Sequence, residues 1–136
     1  MRVWLAIGTI LWAGTAAAQD MVQFRSPTGN IHCMIFGGSF DWHGARCDIR
    51  EADLSFPHRP RDCDLDWGHA FEVPARGAAG PVCAGDTVAD RGNPVLGYGR
   101  SVTLGGVTCT SAQSGMTCTN AAGRGFTLAR ARQRVF

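Results

Sequence analysis

The chain has 136 residues, 45% of them hydrophobic, and a formal net charge of +2, and its 13 basic residues include no lysine. A charge so close to balance argues against the strongly basic face that nucleic-acid binding requires, and equally against an acidic solvating protein. The 18 glycines are spread through the chain, which is typical of many turns and short strands rather than long helices.

Residues 1–18 have the pattern of a secretory signal peptide. Arg2 supplies the positive n-region, residues 3–12 form an apolar h-region, and Ala16-Ala17-Ala18 is a small-residue cleavage site. The apolar run is too short for a permanent membrane span, although an uncleaved anchor is the alternative. Removing 18 of the 136 residues leaves 118, in one predicted domain of residues 19–136. We expect that domain to be periplasmic or secreted and not to span the membrane.

All six cysteines lie in the mature part, and an even number in an exported chain predicts a disulfide framework. Residues 30–36 alternate, with Cys33 and apolar neighbours on one face. Setting Cys33 opposite Cys47 on the returning strand places apolar residues opposite each other on that face. The pairs are Ile31 with Ile49 and Ile35 with Ala45. On the other face His32 lies beside Asp48, and a slip of one residue would expose every apolar side chain.

A second cross-linked hairpin is predicted between Gly106 and Asn120. The order glycine, apolar residue, polar residue, cysteine occurs twice there, ending at Cys109 and at Cys118. Placing these two cysteines opposite each other leaves residues 112–115 as the loop, which is a normal length for a hairpin. We therefore predict a disulfide between Cys109 and Cys118.

The middle of the chain is less regular. Residues 52–61 contain two prolines and no periodicity, and Phe71 and Val73 fit a short strand. Cys63 is paired with Cys83 mainly by elimination. A short helix in this middle part is the alternative.

The last third of the chain predicts a meander of hairpins. Besides the strand that carries Cys118, its strands are residues 98–104, 107–111, 126–128 and 134–136. Hairpins at this spacing without a helix period predict an all-β fold, a small disulfide-stapled antiparallel barrel or sandwich.

Four groups of residues carry a resemblance to a known family. They are Ser26-Pro27-Thr28-Gly29-Asn30-Ile31-x-Cys33, Asp62-Cys63-x-x-Asp66-Trp67-Gly68, Cys83-Ala84-Gly85-Asp86-Thr87, and Gly115-x-x-Cys118-x-Asn120-x-x-Gly123-x-Gly125-Phe126-x-Leu128-x-Arg130. In these residues the chain resembles a family of small exported bacterial proteins, seen in actinobacteria and alphaproteobacteria, whose function is unassigned. The resemblance implies a secreted single domain and supplies no catalytic residues. That family often has histidine at the position of Arg124, so we place no site there.

Asp62, Asp64 and Asp66 alternate ahead of Gly68, and carboxylates in this arrangement can ligate Ca²⁺. The spacing departs from an EF-hand loop, because the glycine comes one position late and Val73 stands at the twelfth position. The alternative is a turn whose aspartates cap backbone amides and pair with nearby arginines. We expect no cofactor, with calcium as the candidate if one binds.

Two other kinds of chemistry would depend on histidine. Zinc would need histidines at short spacing, whereas the four here are scattered: His32, His43, His58 and His69. The one acid–base candidate is His32 beside Asp48, for which a surface ion pair is the alternative. We therefore predict that the protein is not an enzyme.

Two sets of residues are candidates for a binding surface. The first set consists of aromatic residues in predicted loops, namely Trp42, Trp67 and Tyr98. Such side chains mark a binding surface if they are exposed, and anchor the loops on the core if they are not. The second set consists of Arg130, Arg132 and Arg134, which lie on one face if the segment is extended. Such a stripe could bind an acidic partner. The alternative is a solvated edge strand whose charges discourage aggregation with other strands.

These features together predict a monomeric, exported, non-catalytic binding or structural module of the bacterial cell envelope. Its partner would be an unknown envelope protein or a glycan. One alternative is an inhibitor of an envelope hydrolase, of the lysozyme-inhibitor kind. The others are a small secreted hydrolase that uses His32 and Asp48, and a calcium-dependent adhesin.

Overall fold

The computed structural model describes residues 8–10 and 20–136. The predicted signal peptide and its cleavage site lie outside these residues, apart from 8–10. The described residues form ten β-strands and no helix, so the short helix considered for the middle of the chain is absent there. Nothing in residues 8–10 and 20–136 is a helix that could cross a membrane.

The strands form two five-stranded antiparallel sheets, and in each sheet the strands lie in sequence order. The first sheet contains β1 (Met21–Arg25), β2 (Ile31–Phe36), β3 (Gly44–Ile49), β4 (Ala70–Pro74) and β5 (Gly80–Pro81). The second contains β6 (Ser101–Leu104), β7 (Val107–Ala112), β8 (Gly115–Asn120), β9 (Gly125–Ala129) and β10 (Arg132–Val135).

The two sheets pack face to face over one hydrophobic core. The ring centroids of Phe71 in β4 and Phe126 in β9 are 6.1 Å apart, and Cys47 Sγ lies 3.6 Å from Cys118 Sγ of the other sheet. The sheets do not close into a barrel. The all-β prediction is therefore confirmed, and of its two forms the sandwich is the one observed.

The predicted strand registers are observed. Cys33 lies opposite Cys47 in the first sheet, and Cys109 opposite Cys118 in the second. Inward-facing residues alternate with outward-facing ones, as in sandwich strands with one buried face. The structure contains the three disulfides Cys33–Cys47, Cys63–Cys83 and Cys109–Cys118.

The long segment between β5 and β6 pairs with the last residue of β1, at one end of the free edge of that strand. Arg25 donates its backbone N–H to the carbonyl of Pro94 at 2.9 Å, and Leu96 donates to the carbonyl of Arg25 at 2.8 Å. This contact protects an edge strand that would otherwise offer unpaired backbone groups.

Two sequence predictions about hairpins are wrong in detail. Arg130 lies in the β9–β10 turn rather than on a strand, so the three arginines do not form one stripe. Arg132 and Arg134 do share the exposed face of β10, which is an edge strand. The β7–β8 loop is shorter than predicted, because Ala112 and Gly115 pair with each other.

Candidate functional site

A cleft of about 590 Å³ opens at one end of the sandwich. We call it the end cleft. Five segments that are distant in sequence meet around it: the β1–β2 turn, the residues after β3, the segment before β6, the tip of the β7–β8 hairpin and the β9–β10 turn. Its volume lies within the range of about 300–1,000 Å³ found for small-molecule sites.

Ser111 lies at the floor of the end cleft. It follows Val107 and Cys109 on the inward face of β7, and it is only 1% exposed. Among the described residues, its Oγ is the one buried side-chain oxygen or nitrogen with no hydrogen-bond partner. Native proteins rarely leave such a group unpaired, and each instance calls for an explanation.

The backbone of Ser111, in contrast, is fully bonded. Its carbonyl accepts a hydrogen bond from the N–H of Gly99 at 2.7 Å, and its N–H donates to the carbonyl of Arg100 at 3.0 Å. These bonds attach the segment that carries Tyr98 to β7. Tyr98 is 45% exposed and lines the end cleft. The hydroxyl is therefore held in place by a rigid backbone while its own bonding capacity is unused.

The opposite wall of the end cleft is also fixed by hydrogen bonds. The Asn30 side chain donates to the carbonyl of Glu51 at 2.9 Å and accepts from the N–H of Glu51 at 2.8 Å. In the adjacent turn, Ser26 Oγ accepts a hydrogen bond from the N–H of Ile31 at 3.1 Å. These bonds tie the β1–β2 turn to the end of β3.

The rim of the end cleft carries charged groups. Arg130 Nη1 lies 3.6 Å from Glu51 Oε2, and the two side chains are 73% and 72% exposed. A surface pair of this kind contributes little to stability. Arg50 is exposed where this rim borders a neighbouring cleft, and it takes part in none of the ion pairs of the described residues. The rim therefore has one cation more than it has anions.

The proposed acid–base pair is not formed. His32 and Asp48 lie opposite each other in the β2–β3 ladder, as predicted, but their side chains bond to other groups. His32 Nε2 donates to the carbonyl of Gly29, and Nδ1 accepts hydrogen bonds from the N–H of Asp90 and the amide of Asn93. Asp48 accepts from the Arg46 guanidinium and from the N–H of Val88.

The His32 ring is thus an anchor for the long loop before β6. Burial lowers the pKa of His32, and the cations Arg50 and Arg25 act in the same direction, while the hydrogen bond to Gly29 opposes them. The neutral imidazole is the form that can accept from the loop at Nδ1.

The predicted calcium motif lies beside a second cleft of about 550 Å³. Asp62, Asp64 and Asp66 are exposed. Asp66 exchanges two backbone hydrogen bonds of 3.1 Å with Ala84, next to the Cys63–Cys83 disulfide. In the described residues, the only three potential metal-ligating groups within 4.8 Å of one another are disulfide sulfurs. The aspartates do not converge, and calcium binding stays a prediction.

The scattered histidines do not converge either. His43 and His69 bond to the carbonyls of Gly38 and Ile49 through one ring nitrogen each, and His58 is exposed. The described residues contain no group of histidines that could share a metal ion.

The predicted aromatic surface is divided among three places. Tyr98 belongs to the end cleft, and half-buried Trp67 lines the second cleft. Trp42 is 39% exposed and packs against Phe36, at the opposite end of β2 from the end cleft. Only Tyr98 and Arg130 of the predicted surface residues therefore come together.

Sequence reasoning missed Ser111, Arg50, Glu51 and Asn30. A usable pattern existed for Ser111, because it has the same strand parity as Cys109 and so is a polar residue at a core-facing position. The other three lie at least 60 residues from it in the sequence, and no local pattern connects them.

Comparison with known proteins gives the family but no function. No curated protein and no solved structure matches the chain. The model of one family matches residues 4–136, which is nearly the whole sequence. The chain belongs to the family of unknown function DUF6636.

Proposed function

We propose that the protein is an exported, non-catalytic binding module of the bacterial cell envelope and that its ligand occupies the end cleft. The observation that carries this proposal is the unpartnered hydroxyl of Ser111 at the cleft floor. A buried hydroxyl without a hydrogen bond costs about 1–3 kcal/mol of folding free energy. The hydroxyl has almost no accessible surface in the free protein, so a ligand reaches it through a rotation of the Ser111 side chain and then recovers that cost.

The rigidity of the end cleft supports a binding role. One wall is fixed by the Asn30–Glu51 hydrogen bonds and the opposite wall by the Ser111–Gly99 hydrogen bond. The strands behind the two walls are cross-linked by disulfides. A site that is already ordered loses little conformational entropy on binding.

Export is supported by the three disulfides, which persist in oxidising compartments and are rare in the cytosol. The absence of catalysis is supported by the separate hydrogen-bond partners of His32 and Asp48. A general base needs an orienting partner and access to substrate, and His32 is only 3% exposed.

The test is an affinity capture with a blocked variant. The full-length sequence is expressed in a bacterial host, and the oxidised protein is recovered from the periplasm and exposed to envelope extract. Ala112→Trp adds a large ring at an exposed residue that lines the end cleft, so it obstructs the cleft and leaves the core unchanged. Ala78→Trp adds the same ring in an exposed loop at the other end of the sandwich and is the matched control.

The proposal expects one ligand to be recovered by the wild type and by Ala78→Trp, but not by Ala112→Trp. A stoichiometric hydrolase recovered in this pattern would indicate the inhibitor alternative, and a glycan would indicate an envelope-binding role. Equal recovery by all three proteins, or no recovery by any, would refute the end cleft as the binding site.

A further inference from the structure

The charge of the end cleft favours an anionic ligand. Arg50 forms no ion pair with the described residues, and the pair between Arg130 and Glu51 is long and exposed. A ligand carboxylate can therefore approach Arg50 without displacing a protein partner. Arginine binds a carboxylate through two parallel hydrogen bonds, which are shorter and stronger than neutral ones.

The uncharged groups of the end cleft favour a polyhydroxylated ligand. Ser111 offers a buried hydroxyl at the floor, and Gln113 offers an exposed amide at the hairpin tip. Tyr98 contributes an aromatic side chain, 45% exposed, which can cover the apolar face of a ring. Small-molecule sites combine such an apolar surface with a few placed polar groups.

We infer that the end cleft binds a carboxylate-bearing saccharide, with the carboxylate at Arg50, a sugar ring against Tyr98 and a ligand hydroxyl bonded to Ser111 Oγ. This inference rests on the proposed function, since it names the ligand class of the same cleft. It requires only one charged contact, because Glu51 offsets one of the two rim arginines.

The decisive experiment compares acids with their neutral esters. Trisaccharides of galacturonate, mannuronate and glucuronate are titrated calorimetrically into the oxidised wild-type protein, each as the free acid and as the methyl ester. The ester keeps the ring and the hydroxyls and removes the charge. One charge-assisted contact is worth about 1.5–3 kcal/mol, so at least one acid should bind about tenfold or more tightly than its ester.

Two variants test whether Arg50 is the residue that binds the ligand carboxylate. Arg50→Gln should lower the affinity for the acid to that for the ester. Arg132→Gln removes an exposed arginine from β10, outside the end cleft, and should leave the ratio unchanged.

Other results overturn the inference in distinguishable ways. An acid and its ester that bind equally, with binding lost in Ala112→Trp, would remove the carboxylate and leave the proposed function intact. Binding of peptides with a free C-terminal carboxylate, but of no sugar acid, would remove the saccharide. No binding of any probe would overturn the ligand class, and the capture experiment would decide the proposed function separately.

Discussion

Replacing Ser111 with alanine should stabilise the ligand-free protein. The hydroxyl is buried and has no hydrogen-bond partner, so the folded state loses its hydration without compensation. Removing it recovers a desolvation penalty of about 1–3 kcal/mol, less a small packing loss from one missing atom. We expect a net gain of about 1 kcal/mol, which raises Tm by about 4 °C for a domain of this size.

The matched control is Ser26→Ala, which should lower the stability of the protein rather than raise it. Ser26 is also buried and also lines the end cleft, but its Oγ accepts a hydrogen bond from the N–H of Ile31 at 3.1 Å. Loss of the Ser26 hydroxyl leaves that buried N–H unpaired, and we expect the free energy of unfolding to fall by about 1–2 kcal/mol. Thermal unfolding of the two oxidised variants beside the wild type measures both effects.

A loss of stability in Ser111→Ala comparable to that in Ser26→Ala would refute the reasoning. It would mean that the Ser111 hydroxyl has a bonding partner in the free protein. A gain in stability together with weaker ligand capture would instead show a residue retained for binding at the expense of stability, which is a common trade-off at functional sites.

Three further predictions concern the frame of the molecule. Burial lowers the pKa of His32, so this residue binds a proton more readily in the unfolded chain than in the folded protein. We expect its full contribution to the free energy of unfolding above about pH 6.5 and a loss of that contribution as the pH falls through the lowered pKa. The profile of Tm between pH 7.5 and 5 should therefore be flatter in His32→Gln than in the wild type. A Cβ at Gly125 would overlap the backbone oxygen of Cys118, whereas one at Gly80 would meet nothing within 4 Å. Gly125→Ala should therefore cost about 1–3 kcal/mol in denaturant unfolding, and an equal cost for Gly80→Ala would contradict this explanation. The Asn120 side chain donates hydrogen bonds to the carbonyls of Pro74 and Gly77 at 3.0 Å each. Asn120→Asp keeps the shape of the side chain and removes the donor, so it should lower the free energy of unfolding by about 2 kcal/mol or more at pH 7. An unchanged Tm would show that these bonds contribute nothing to stability.

Local pattern was enough to predict the hairpins and their cross-links. In a strand with one buried face, apolar residues recur with a period of two, and the cysteines shared that period, so a single register satisfied both constraints. The β9–β10 turn was harder to place, because Arg130 and Arg132 alternate equally well in a strand or across a two-residue turn.

The end cleft was beyond local pattern. It is lined by turns and strand ends from both sheets, and their proximity depends on how the two sheets pack. The same packing separated Trp42 and Trp67 from Tyr98, although all three had the same appearance in the sequence.

The sequence by itself therefore determined the all-β class, the registers of the two cross-linked hairpins and the disulfides within them, because each depends on alternation along one or two neighbouring strands. The pairing of Cys63 with Cys83 came only by elimination. Only the tertiary structure decided that the sheets form a sandwich, that His32 anchors a loop, and that Ser111 is buried without a partner. These features depend on contacts between segments that are far apart in the chain, and the pairing of individual strands does not specify them.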